Sequence, residues 1–182
     1  MSYSSLKRKT PLRSRHGFKK PSSGRQSAGS EKGGERAKAG AGRTRKNDRS
    51  SLETHLDIVF SLYVRLRDAM DGGRCRCISC GRIFPFAQIQ CGHYHSRHNR
   101  SVRWDGRNCN AECFSCNCND PDHLAGYKDH LVAKIGKQQF DELNVVAHQS
   151  RKWSGDELRQ MLRYYTAEVR RLSKDKGIRV NI

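Results

Sequence analysis

Residues 75 to 118 read CRCISCGRIFPFAQIQCGHYHSRHNRSVRWDGRNCNAECFSCNC, and they hold all eight cysteines of the chain. Two pairs, Cys77-Ile78-Ser79-Cys80 and Cys113-Phe114-Ser115-Cys116, have the C-x2-C spacing that brings two thiolates from one turn onto the same tetrahedral ion. Together Cys77, Cys80, Cys113 and Cys116 predict a closed, structural Zn²⁺ site, and Gly81 suits the tight turn that the first pair needs. The 32 residues between the pairs exceed the roughly 15–20 of an ordinary ribbon, so a segment is inserted there. Cys75, Cys91, Cys109 and Cys118 have scattered spacings and are read as packing or peripheral residues, with Cys91 and Cys118 expected nearest the functional centre.

The insertion contains Gly92-His93-Tyr94-His95-Ser96-Arg97-His98-Asn99-Arg100 and Arg103-Trp104-Asp105-Gly106-Arg107-Asn108, which put three histidines and the arginines Arg97, Arg100, Arg103 and Arg107 in one loop. A neutral imidazole takes a proton from water, guanidinium groups hold phosphate, and a divalent cation stabilises charge building on phosphoryl oxygens. The four arginines are therefore candidate phosphate contacts, and DNA-binding residues if the polyanion is DNA.

Outward from this centre the chain is helical. Leu52, Leu56, Val59, Phe60, Tyr63, Val64 and Leu66 recur at helical intervals behind Ser50-Ser51-Leu52-Glu53, which has capping-box spacing, predicting a helix over 51–71 that ends near Asp71-Gly72-Gly73. A second helical region runs from about Tyr127 to Leu143, bent or split at Gly136. A third follows Ser154 as N-cap with Glu157 three residues on, then Leu158, Met161, Leu162, Tyr165, Val169 and Leu172. These apolar stripes read as core.

The chain carries 36 Lys+Arg against 18 Asp+Glu, a net charge of +18 that points to a polyanionic partner. Residues 1–50 account for 15 of those cations and 3 of the acids, so two thirds of the excess sits in an arm almost without large apolar residues. That arm is expected to stay disordered until it meets a partner, as a solubilising linker or as a phosphate-binding segment. With 35% hydrophobic residues and a mean hydropathy of −0.89, one small domain over 51–182 is the expectation. No apolar run approaches a membrane span and the N-terminus has no apolar leader, so a cytoplasmic protein with reduced thiols is expected, which favours metal over disulfides.

The ordered series Cys77-x2-Cys80, Gly92-His93-Tyr94, Arg103-Trp104-Asp105-x2-Asn108 and Cys113-x2-Cys116-Asn117 resembles the HNH nuclease motif embedded in a zinc ribbon. More closely, it is similar to the phage lambda NinG (Rap) recombination family, whose helical tail has an Ile-Gly step like Ile135-Gly136; the likeness covers about residues 50 to 173. It implies an α+β, mainly helical fold with a small ββα-metal finger on the four-cysteine zinc ribbon (75–120), a helix ahead of it (51–71) and a helical tail behind (124–175). It further implies a hairpin carrying His93, a loop carrying Asn108 and a helix beginning near Cys116. By the same likeness His93 is the general base, Asn108 orients the site or contacts metal, and Asn117 stands at the last motif position. The catalytic Mg²⁺ or Mn²⁺ then has Asn117, His95, His98 and Asp105 as candidate ligands, because Gly92 stands where many such fingers have a ligand. The implied activity is endonucleolytic hydrolysis of branched DNA such as Holliday junctions and D-loops, in the host cytoplasm, by a homodimer or alongside recombination proteins. Two alternatives stay open: a non-catalytic DNA-binding zinc module, and an HNH nuclease with little structure selectivity.

Overall fold

Leu56, Val59, Phe60, Val64 and Leu66 are buried along one side of helix α1 (Arg36–Asp68), as their spacing requires. The structure is a computed structural model that describes residues 36 to 182, with side chains from Asp48 onward, so the first 35 residues of the basic arm lie outside the described residues. α1 begins at Arg36, before the start at residue 51, and ends at Asp68, short of residue 71. Ser50 lies inside it and is not an N-cap: its carbonyl accepts from Thr54 Oγ1 at 2.9 Å, while Glu53 turns to Arg49 and Arg100.

The chain then forms a three-stranded antiparallel sheet, β1 (Ala69–Met70), β2 (Arg74–Arg76) and β3 (Ile83–Pro85), with the first cysteine pair in the turn after β2. A 3₁₀ turn (Phe86–Gln88) leads into β4 (Ile89–His93), which pairs antiparallel with β5 (Cys109–Cys113). The register sets Ile89 opposite Cys113, Cys91 opposite Ala111 and His93 opposite Cys109. Because side chains alternate along a strand, Ile89, Cys91, His93, Cys109, Ala111 and Cys113 share one face. Gln90, Gly92, Asn110 and Glu112 share the other.

After β5 comes a π turn (Ser115–Asn119), and α2 (His123–Ile135) starts only at His123, not near Cys116. Pro121 disfavours helical geometry in the residue before it, and Asp120 is extended at φ −101°, ψ 108°. Gly136, at φ +81°, splits the following region into α2 and α3 (Lys137–Ala147), since a left-handed backbone favours glycine. α4 (Gly155–Asp175) begins with the capping box read from Ser154 and Glu157, both reciprocal hydrogen bonds being present.

α4 lies on α1, with Leu158 against Leu56, Phe60 and Val64, and with Val169 against Val59, Leu62 and Leu66. A charged knot ties α1 to the hairpin and α2. Asp68 accepts from Arg67, from Lys134 at 2.8 Å and from the Ala111 N–H at 2.9 Å, and Arg67 also donates to the Cys109 carbonyl at 2.8 Å. Burial alone would raise the Asp68 carboxyl, but Arg67 and Lys134 outweigh it and hold it below the ordinary carboxylate value. Its stabilising contribution is therefore present above pH ~3.8 and lost as the pH falls from there through the lower folded value. Asp68→Ala takes the carboxylate from part-buried Arg67 and exposed Lys134, leaving them their carbonyl and Asn110 partners, and is expected to cost about 1–3 kcal/mol, read as a lower urea midpoint at pH 7 and a smaller difference from wild type at pH 3.

Candidate functional site

The four cysteines of the two knuckles converge, with their sulfurs all within 4.8 Å of one another. Cys77 follows β2, Cys113 ends β5 and Cys116 lies in the π turn, so the site joins the two sheets at one end of the hairpin. The Cys113 N–H points at Cys77 Sγ at 3.3 Å, and Gly81, at φ +71°, closes the first turn with its N–H on the Cys77 carbonyl at 2.9 Å. Burial raises the Cys77 thiol; at Cys80 burial is outweighed by Arg82 and neighbouring thiol contacts, which bring it down to about 6. A set of four thiolates, one already easily ionised beside an arginine, fits a structural zinc ion.

At the opposite end of the hairpin the chain makes the loop 94–108. Its base is closed by Asn108, which is 0% exposed: Oδ1 accepts from the His95 N–H at 2.8 Å, and Nδ2 donates to the His95 carbonyl at 2.9 Å and the Val102 carbonyl at 3.1 Å. Both amide hydrogens and one lone pair of the oxygen are committed to the loop, so Asn108 shapes the site. His93 is the last residue of β4 and opens on a small cleft lined by Asp57, Phe60, Ser61, Cys91 and Arg97. Burial lowers its pKa, against a hydrogen bond to the Arg103 backbone that raises it, leaving a neutral imidazole at pH 7.

Asn117 is elsewhere. Its Nδ2 donates to Gln90 Oε1 at 2.7 Å, on the hairpin face opposite to His93. The structure therefore does not gather His93, Asn108 and Asn117 around one ion. Nor do the other candidate ligands converge: Asp105 is held by Arg107, His95 Nε2 faces Asn144 Oδ1 at 2.8 Å, and His98 is exposed. The residues named for Mg²⁺ or Mn²⁺ do not by themselves fit such an ion.

Three of the four loop arginines have carboxylate partners within the fold. Arg100 pairs with Glu53, Arg103 with Asp57 and Glu53, and Arg107 with Asp105 and Glu142. Arg97 alone among them has no acidic partner among the described residues, and it sits at the mouth of the His93 cleft.

Two groupings escaped the sequence. On the Gln90 face, buried Glu112 meets Ser79 Oγ and His123 Nδ1, the latter at 2.7 Å, and its Oε2 has no hydrogen-bond partner among the described residues. A Cβ on Gly92 would overlap the Glu112 carboxylate and stand 2.8 Å from Glu112 Cβ. Gly92→Ala is therefore expected to destabilise the domain by about 1–3 kcal/mol, seen as a lower Tm in a thermal melt. On the His93 face, Cys91, His93 and Cys109 bring their donor atoms within 4.8 Å of one another. Strand alternation was the available signal for both, but it needs the register.

Among the described residues no helix is long and apolar enough to cross a membrane. The profile of the family described as "Bacteriophage Lambda NinG protein" matches residues 4–175. Among curated relatives, "Protein ninG" of Escherichia phage 933W is 29% identical over 102 residues, 56% of this chain and 50% of that protein. "Protein ninG" of Escherichia phage lambda is 28% identical over 102 residues, 56% of this chain and 49% of that protein. That of Enterobacteria phage H19B is 32% identical over 82 residues, 44% of this chain and 40% of that protein. The chain spans about half the length of the curated relatives it matches. No solved structure matches it.

Proposed function

The chain belongs to the bacteriophage lambda NinG family, and on that premise we propose that it is a DNA endonuclease of the HNH type that cuts branched recombination intermediates such as Holliday junctions and D-loops. The observation that carries this reading is the setting of His93: a neutral imidazole at the end of a hairpin strand, beside the Arg97 guanidinium, in a hairpin followed by a helix and braced by a four-cysteine site. His93 takes the proton from the attacking water, Arg97 faces the phosphate, and the Arg103 backbone holds the ring. A Mg²⁺ or Mn²⁺ ion would supply charge stabilisation at phosphorus, held largely by DNA phosphate and water, as hard cations commonly are.

The basic residues ahead of the domain add affinity without sequence preference and suit a substrate with several duplex arms. A four-way junction has two-fold character, so a homodimer cutting opposed strands is the matching assembly. Phage recombination proteins are the matching protein partners.

The separation of His93 from Asn117 across the hairpin favours one other reading, a DNA-binding zinc module that does not cut. A gel assay on labelled four-way junction and linear duplex of equal length, with Mg²⁺, Mn²⁺ or EDTA, decides between them. The expected result is cation-dependent cleavage of the junction at a rate at least tenfold above that of the duplex; band shifts without cut strands would leave the non-cutting module, and equal cutting of both DNAs would leave a nuclease without structure selectivity.

A further inference from the structure

Cys91, His93 and Cys109 are three metal-ligand side chains on one face of one hairpin, apart from the Cys77 quartet. His93 and Cys109 are cross-strand partners, and Cys91 stands two residues before His93, so the three form a triangle whose donor atoms lie within 4.8 Å of one another. Tetrahedral zinc, with Zn–S near 2.3 Å and Zn–N near 2.0 Å, sets its ligand atoms roughly 3.5–3.8 Å apart, a spacing that small side-chain rotations reach from here. The rest of the environment is that of a metal site. The inner wall is apolar, with Cys109 packed among Leu56, Phe60, Val64, Trp104 and Leu158. The outer side opens to the cleft bearing Asp57, Ser61 and Arg97.

We propose that Cys91, His93 and Cys109 bind a second, thiophilic metal ion, zinc in its commonest form, with the fourth coordination position open to the cleft. Two thiolates and an imidazole select zinc over Mg²⁺ or Mn²⁺, which prefer oxygen. Binding releases the two thiol protons to solvent and leaves two thiolate charges balanced by Zn²⁺, so a sulfur buried as deeply as that of Cys109 carries no uncompensated charge. Resting on the reading of His93 as general base, this site is also a control point: while the ring nitrogen is bound to zinc it cannot accept a proton from water, so the second zinc equivalent silences cleavage.

The test counts metal first. The full chain, kept reduced with a phosphine, saturated with Zn²⁺ and then freed of loose ions by gel filtration, is expected to retain two zinc ions, and Cys91→Ala one, with unchanged far-ultraviolet circular dichroism; the wild type prepared with a single zinc equivalent is the form that cuts. Loaded with Co²⁺, the wild type has six thiolate ligands and Cys91→Ala four, so the sulfur-to-cobalt charge-transfer absorption per chain falls by about a third. In Mg²⁺, a second zinc equivalent is expected to bring wild-type junction cleavage down to the level of His93→Ala, and to have no such effect on Cys91→Ala. One retained zinc per wild-type chain with four-thiolate absorption overturns the second site. If two ions are retained and no protein form cuts DNA, the site stands and the nuclease reading falls; if the second ion binds and cleavage is unaffected, the site stands and its role as a control point falls.

Discussion

Cys113→Ser is expected to leave the chain without zinc at the quartet and without a cooperative unfolding transition. Cys113 is buried at the end of β5, opposite Ile89, with its N–H on Cys77 Sγ and its own sulfur in the quartet. The two sheets are small, and three-residue strands such as β2 and β3 do not hold together by hydrogen bonding alone. Structural zinc contributes about 10–16 kcal/mol in isolated zinc modules, against a total of about 5–15 kcal/mol for an ordinary domain. Loss of a zinc ion held by the quartet would therefore exceed anything that α1 and α4 can offset. The second thiol cluster falls with the first, because β5 carries residues of both. Zinc content after gel filtration and a thermal melt by circular dichroism check the result; a folded variant that keeps the wild-type zinc content would remove the quartet from the structure's foundations.

His93→Ala is expected to slow junction cleavage by about 10²–10⁴-fold while leaving the DNA band shift in place, equivalent to about 3–5 kcal/mol of transition-state stabilisation. The ring faces the cleft at the edge of the hairpin, and the residues around it, Asp57, Ser61 and Arg97, do not depend on it for a hydrogen bond. Binding energy from the arginine and the basic arm thus survives the substitution. Single-turnover cleavage beside a titrated band shift separates the two effects; an alanine variant that cuts at the wild-type rate would end the role of His93 as base.

Much of this architecture was legible from local signals. The capping box at Ser154 and Glu157, the split at Gly136 and each C-x2-C turn depend on residues within a few positions, and each is found; the convergence of the two turns followed from their like spacing, not from neighbouring residues. The start of α1 was not legible, because the residues before Ser50 lack an apolar period and Ser50-Ser51-Leu52-Glu53 imitates a cap that the continuous helix does not use. The tertiary partners were hidden for a different reason. Arg103 meets Asp57 46 positions away, and the carboxylates that neutralise the loop arginines belong to α1 and α3 as much as to the loop. Composition shows a surplus of cations but not which of them the fold has already paired. The His93 setting was half legible: its place before a loop could be read, whereas its two thiol neighbours follow only from the register of β4 on β5.

The Asn108 clamp has a consequence for how such a protein diversifies. Because one buried amide fixes both the entry to loop 94–108 at His95 and its interior at Val102, the loop's ends are set independently of the exposed residues between them. The tip at Ser96, Arg97, His98 and Asn99 is solvent-facing and bears little of the core. Substitutions and short insertions there change what the cleft meets without disturbing the strands, so the hairpin works as a fixed frame with an exchangeable cassette. In this tip change costs the fold least.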